Sequence, residues 1–201
     1  MLQLYDYLAS GNGYKVRLLL RLLRRPYRMT ELDILRGETR TPAFLAKNPN
    51  GRIPALELED GTVLWESNAI LFYLADGSRF LPSDRLLRAQ VLQWMFFEQY
   101  SHEPYVAVMR FWLHYTGLDD DKLRQRAKKM EGGYAALGVM EQRLAVAPYL
   151  VGGALSIADL ALYAYTHVAH EGEFDLGRFP AIRAWLARIA AEPGYAPITA
   201  G

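Results

Sequence analysis

The first third of the chain alternates between two apolar rhythms. Residues 2–5 read as a short strand. Residues 13–23 read as a helix, because Val16, Leu19, Leu20 and Leu23 recur at helical spacing. Pro26 ends that helix, and residues 27–34 alternate weakly with β-favouring types, which predicts a second strand. Thr41-Pro42 places an N-cap residue before a proline at the first helical position, so a short helix is expected as far as Lys47. Residues 55–59 and 62–65 are two further strands joined by the turn at Asp60-Gly61, and residues 66–76 form a helix closed by Gly77.

The order is β-α-β, a connector helix, then β-β-α. It predicts two parallel strands extended by an antiparallel hairpin, with helices packed on the sheet. After Gly77-Ser78 the strand pattern stops. Residues 85–115 read as one long helix kinked at Pro104. The run Asp119-Asp120-Asp121 puts negative charge where the next helix begins, and that helix continues toward Leu144 with Gly132-Gly133 as a weak point. Residues 157–170 and 180–191 are two more helices. The expected fold is a small α/β domain over residues 1–78 and an all-α domain over residues 85–201.

Charge and composition narrow the chemistry. The 201 residues carry a net charge of +1, which gives no global attraction to nucleic acid or acidic lipid. The cluster Arg21, Arg24, Arg25 and Arg28 reads as a solvated helix face. There is no cysteine, so a disulfide, a thiolate zinc site and a cysteine nucleophile are all excluded. No apolar run reaches the roughly 18 residues of a membrane span, and no signal peptide is visible, so a soluble, cytoplasmic protein without a membrane partner is expected.

Four junctions carry candidate chemistry. Ser10-Gly11-Asn12-Gly13 lies between the first strand and the first helix. A helix N-terminus presents unpaired N–H groups and partial positive charge, which suit an anion or a thiolate. Ser10 and Asn12 could add an O–H and an N–H donor, while ordinary N-capping explains the same residues. The third glycine of a dinucleotide fingerprint is absent. At Arg52-Ile53-Pro54-Ala55, a cis Ile53-Pro54 bond would turn Ile53 so that a peptide-like ligand pairs with its backbone; a trans proline before a strand is the common alternative. Glu66-Ser67 opens a helix, with N–H groups suited to a carboxylate and a side chain suited to an amine, or simply an acidic residue favourable in a first turn. Ser156-Ile157-Ala158-Asp159 is a capping box flanked by Leu155 and Leu160, a folding device.

These pieces, in this order, resemble the cytosolic glutathione transferases over nearly the whole chain. "NPNGRIPALE" is similar to that family's cis-proline segment, "ESNAILFYLA" to its γ-glutamyl helix start, "SIADLALY" to its capping box and "FPAIRAWLARIAAEPGY" to its penultimate helix. The resemblance implies a thioredoxin-like N-terminal domain followed by an all-α domain, with a cis Ile53-Pro54 bond.

It further implies a bacterial, serine-type-like member in which Ser10 holds the glutathione thiolate, with Asn12 close behind it and Tyr5 or Tyr7 as weaker candidates. Ile53 and Pro54 would hold the cysteinyl unit, Glu66 and Ser67 the γ-glutamyl group, and Arg40 and Arg52 would face the glycyl carboxylate. Leu8, Ala9, Tyr105, Met109 and Trp112 would line the pocket for a small hydrophobic electrophile, although the aromatic residues could equally be core. Glutathione is then a substrate, no metal or cofactor is implied, and a homodimer is expected, sheet domain against helical domain, using residues 94–100. The implied activity is addition of the thiolate to electrophiles or reduction of peroxides, with disulfide reduction by bound glutathione open. The alternative is a non-catalytic binding or regulatory protein on the same fold.

Overall fold

A computed structural model describes residues 1–200. They divide into two compact units, one of residues 1–78 with 192–200 and one of residues 79–191. The first unit holds β1 (Leu2–Asp6), α1 (Gly11–Leu22), β2 (Tyr27–Glu31), α2 (Pro42–Leu45), β3 (Ala55–Glu57), β4 (Val63–Trp65) and α3 (Ser67–Ala75). Its sheet runs in the order β2-β1-β3-β4. β1 and β2 are parallel, with Leu4 opposite Met29, and β3 is antiparallel to both β1 and β4, with Leu56 facing Leu4 and Leu64. The expected thioredoxin-like topology is therefore present.

The alternation in β1 sends Leu2, Leu4 and Asp6 inward and leaves Gln3 and Tyr5 half-buried. Leu4, Val16, Leu19, Leu20, Leu56, Ile70 and Leu71 are fully buried and form the centre of this unit's core. β2, β3, β4 and α3 are shorter than the sequence predicts, and β1 is one residue longer. Glu66 lies outside α3, as its N-cap.

The second unit is helical throughout: α4 (Arg85–Phe97), α5 (Glu103–Phe111), α6 (Asp120–Leu144), α7 (Ile157–Thr166) and α8 (Pro180–Ala190). Two points correct the sequence reading. The long helix over residues 85–115 is interrupted by π-helical turns at Glu98–His102 and Trp112–Thr116. Pro104 falls in the first turn of α5, where its missing N–H costs nothing, so the irregularity lies just before it. Gly132-Gly133 is no break either, since α6 runs through both residues. A Cβ at Gly132 would overlap the Tyr105 ring and one at Gly133 the Phe174 ring, so the glycines make room for aromatic packing.

All ten residues of α7 are buried, and its capping box is formed as expected. Asp159 Oδ2 accepts from both the N–H and the hydroxyl of Ser156, each at 2.9 Å. Its Oδ1 accepts from Leu150 N–H at 2.9 Å and Trp185 Nε1 at 3.0 Å. The short side chain thus closes the cap and also ties α7 to α8. Among the described residues no helix is long and apolar enough to cross a membrane.

Candidate glutathione site in the first unit

The turn that opens α1 is built on Ser10. Its extended backbone (φ −72°, ψ 127°) stops the helix from starting earlier, and its Oγ accepts from Gly13 N–H at 3.4 Å. Ser10 N–H donates to the Tyr7 carbonyl at 2.7 Å, closing the loop from β1. The second glycine has a packing reason, because a Cβ on Gly13 would overlap the Asp6 carboxylate. Asp6 is buried beneath this turn, and burial pushes its carboxyl up to about 6 although Arg17 opposes the shift.

Asn12 is where two of the predicted pieces meet. Its Oδ1 accepts from Lys15 Nζ at 2.7 Å and from Ser67 Oγ at 3.2 Å, and Lys15 Nζ also reaches Ser67 Oγ at 3.4 Å. An ammonium only donates, so the Asn12 oxygen is the atom committed to Lys15. The first turns of α1 and α3 are thereby brought together. Lys15 is fully buried. Sequence reading passed over it because one lysine in a helix usually marks a solvated face.

The start of α3 is unusual at Glu66, which has φ 70° and ψ 112°. A non-glycine residue rarely holds this conformation, which is costly unless its surroundings impose it. It leaves the Glu66 side chain exposed and directed at Asn50, whose Nδ2 lies 3.5 Å from Glu66 Oε1.

The loop before β3 is stapled by Asn48, which is buried. Its Nδ2 donates to the Arg52 carbonyl at 2.7 Å, its Oδ1 accepts from Asn50 N–H at 3.0 Å, and its carbonyl accepts from Gly51 N–H at 2.9 Å. Ile53-Pro54 is cis, as expected. Arg40 donates to the Asn50 carbonyl at 3.1 Å, and a Cβ on Gly51 would overlap its guanidinium. Arg40 and Arg52 are both exposed at this loop. Asn48 was missed, and an asparagine two residues before an Asn-Gly turn was the available signal.

Of the other candidates, Leu8 and Ala9 are half-buried beside Ser10. Tyr5 donates its hydroxyl to Glu57 Oε2 at 2.8 Å, and Lys47 donates to the same oxygen at 2.7 Å. Burial first and Glu57 second raise the Tyr5 hydroxyl above its ordinary value. In the second unit Met109 is fully buried, whereas Tyr105 and Trp112 are half-buried and share the Lys129 ammonium at 5.4 and 5.8 Å from their ring centres.

A thioredoxin-like sheet with a capped first turn, a cis proline before β3 and a serine-led α3, followed by an all-helical unit, defines the fold class, and comparison with known proteins fixes the family. Residues 9–76 match the glutathione S-transferase N-terminal domain and residues 91–193 the C-terminal domain. The chain belongs to the glutathione S-transferase family. It is 59% identical to a glutathione S-transferase from Pseudomonas fluorescens, with 98% of each chain covered and a TM-score of 0.96. A glutathione transferase from Burkholderia graminis, solved with two glutathione molecules bound per subunit, is 32% identical over 96% of this chain and 85% of that one, with a TM-score of 0.85. The disulfide-bond oxidoreductase YfcG of Escherichia coli is 30% identical over 96% of this chain and 92% of its own.

Proposed function

We propose that this chain is a glutathione transferase whose thiolate site is the first turn of α1. The observation that carries the reading is the Asn12–Lys15–Ser67 cluster, because it joins the two helix N-termini that would receive the sulfur and the γ-glutamyl group. Glutathione bound to the Burkholderia relative supports the same substrate here. In this reading Ser10 and the N–H₂ of Asn12 donate to the sulfur and favour its ionised form. Ile53 pairs through its backbone with the cysteinyl unit beside Pro54. Glu66 and Ser67 hold the γ-glutamyl amine and carboxylate, and Arg40 and Arg52 face the glycyl carboxylate. Leu8 and Ala9, half-buried beside Ser10, contribute apolar surface for a hydrophobic electrophile, whereas Met109 is fully buried and offers it none.

The thiolate attacks an electrophilic carbon, a carbon–sulfur bond forms, and the leaving group departs with its electron pair. With a hydroperoxide, the thiolate instead takes the terminal oxygen and releases an alcohol; a second glutathione then gives glutathione disulfide and water. A disulfide substrate is a third option, favoured by the likeness to YfcG. The chain has no cysteine, so bound glutathione must supply the thiol. Calorimetric titration with glutathione, followed by turnover on a panel of electrophiles, peroxides and disulfides, tests the reading. Binding with turnover of any class supports it. Binding without turnover leaves a glutathione-binding protein, and no binding removes the reading altogether.

A homodimer belongs to the same proposal. Phe96 and Tyr100 stand 69% and 86% exposed at the end of α4 and in the π turn after it, an apolar surface suited to a second copy. A monomer by sedimentation at micromolar concentration would count against it.

A further inference from the structure

The mechanism above makes no use of Arg17, a buried cation in the second turn of α1 that is only 1% exposed. Its guanidinium is shared among three places. Nε donates to Asp6 Oδ2 at 2.9 Å, Nη2 donates to the Leu8 carbonyl, and Nη1 donates to the carbonyls of Ile198 at 3.0 Å and Ala200 at 2.9 Å. One turn earlier on the same helix, the Tyr14 hydroxyl donates to the Ala196 carbonyl at 2.6 Å. Residues 192–200 belong to the first unit although they follow α8. Gly194, at φ +94°, makes the turn that precedes these contacts.

We infer that residues 196–200 form a strap that sets the geometry of the turn at residues 7–12, with Arg17 as the positioning residue that transmits it. The guanidinium is a rigid planar fork, so its donors cannot be re-aimed one at a time. Holding two strap carbonyls fixes the direction of the N–H that grips Leu8. Leu8 lies two residues before Ser10, inside the loop closed by the Ser10–Tyr7 hydrogen bond. Removing the strap replaces the two carbonyls that fix Nη1 with mobile water, so the fork is no longer held in one orientation and its grip on Leu8 loosens. The coupling is reciprocal: whatever orders the turn orders the strap. The structural coupling stands alone, while its consequence for catalysis rests on the proposed thiolate site.

The test compares the full chain with one ending at Tyr195, by hydrogen exchange without any ligand. The expected result is at least tenfold faster exchange at the amides of Ser10 and Tyr14, with the β1–β2 ladder and the α6 and α7 amides unchanged. Unchanged exchange at Ser10 overturns the inference, and so does equal acceleration across the whole first unit, which would mark a merely stabilising tail. Should the shortened chain not fold, two milder variants decide. Tyr14→Phe removes the Ala196 bond alone, and Arg17→Lys keeps the charge without the fork. Local loosening of the turn in both supports the strap, and its absence in both overturns it. A second arm titrates the thiol of bound glutathione. A raised thiol pKa and at least fivefold weaker binding in the shortened chain extend the coupling to function, and unchanged values overturn that part. If the full chain binds no glutathione while the exchange result holds, the thiolate reading fails and the strap survives.

Discussion

The two units bury charge in opposite ways. In the helical unit, Asp159 is surrounded by donors: both oxygens are used, by two backbone or side-chain groups each, from three different segments. In the first unit, Asp6 meets Arg17 through one oxygen, and the rest of that guanidinium is spent on backbone carbonyls. Both carboxyls are pushed up by burial. The difference lies in what each network connects. Asp159 ties α7 to α8 and to the Leu150 backbone inside the helical core, so saturating it serves stability. Asp6, Arg17, Lys15 and Asn12 lie at the base of the turn proposed to receive glutathione, and in that reading their bonds position backbone and side chains for binding.

The largest expected effect is on the saturated hub. Asp159→Ala strands the donors of Leu150, Ser156 and Trp185 in the core, at about 1–3 kcal/mol apiece. The sum is comparable with the whole stability of an ordinary domain. Chemical denaturation should show a helical unit that is unfolded or loses its cooperative transition. A loss smaller than about 1 kcal/mol would break the contrast, since Asp159 would then be no more than a local cap.

Acidity separates the units next, with opposite signs. Asp6 is raised from 3.8 to about 6, so folding takes up a proton between those values. Its contribution is full below about pH 4 and is lost as pH rises through about 6. His167 is lowered from 6.5 to about 4 by burial, and its Nδ1 lies 2.9 Å from the Tyr163 carbonyl. Its contribution is present above pH 6.5 and is lost as pH falls toward 4. Each is worth about 3 kcal/mol across its window. Denaturation at stepped pH should therefore show Asp6→Asn flattening a slope that falls with rising pH. His167→Phe, which can keep the stack on Tyr163 at 4.7 Å between ring centres, should flatten one that rises. Slopes of the same sign would contradict the assignment of both groups.

Lys15 sharpens the contrast within the first unit. Lys15→Met keeps the buried stem and removes the charge-assisted bonds to Asn12 and Ser67. A hydrogen bond to a charged group is worth about 1.5–3 kcal/mol, so glutathione binding should weaken roughly ten- to hundredfold, with less effect on thermal unfolding of the helical unit. Calorimetry that finds unchanged affinity would show that the cluster does not organise the site.

What the sequence made legible follows the same division. Ser10, Thr41 and the Ser156–Asp159 box were readable because capping is local: the donor lies three residues from its acceptor in every case. The four strands were readable from alternation and from one turn, and the hairpin residues Leu56 and Leu64 pair as that turn requires. Long-range side-chain logic was not readable. Lys15 and Arg17 look like ordinary polar positions on an amphipathic helix, and only the approach of Ser67, Asp6 and residues 196–200 gives them a task. Gly132-Gly133 misled because glycine weakens an isolated helix, whereas here the rings of Tyr105 and Phe174 fill the space a Cβ would take. The π turns likewise left no mark in the hydrophobic period.

The smallest expected effect on folding is also the most informative about chemistry. Ser10 Oγ sits 3.4 Å from Gly13 N–H, a long capping bond, so Ser10→Ala should cost about 0.5–1 kcal/mol of stability, toward the lower part of the range for caps. Its effect on a bound thiol is a separate matter. If the Ser10 hydroxyl is the main donor to the glutathione sulfur, Ser10→Ala raises the pKa of the bound thiol and slows conjugation, while Asn12→Ala does so less. If the Asn12 amide, held through its oxygen by Lys15, dominates, the order reverses, and equal losses mean a shared site. Ser10→Cys then tests the position directly. A thiol at this helix N-terminus should ionise readily and form a mixed disulfide with oxidised glutathione. Intact mass reports the adduct, and because the natural chain has no cysteine, the adduct can only be at residue 10. A folded Ser10→Cys protein that stays unmodified would show that this turn does not face the glutathione sulfur, and the thiolate site would have to be sought elsewhere in the first unit.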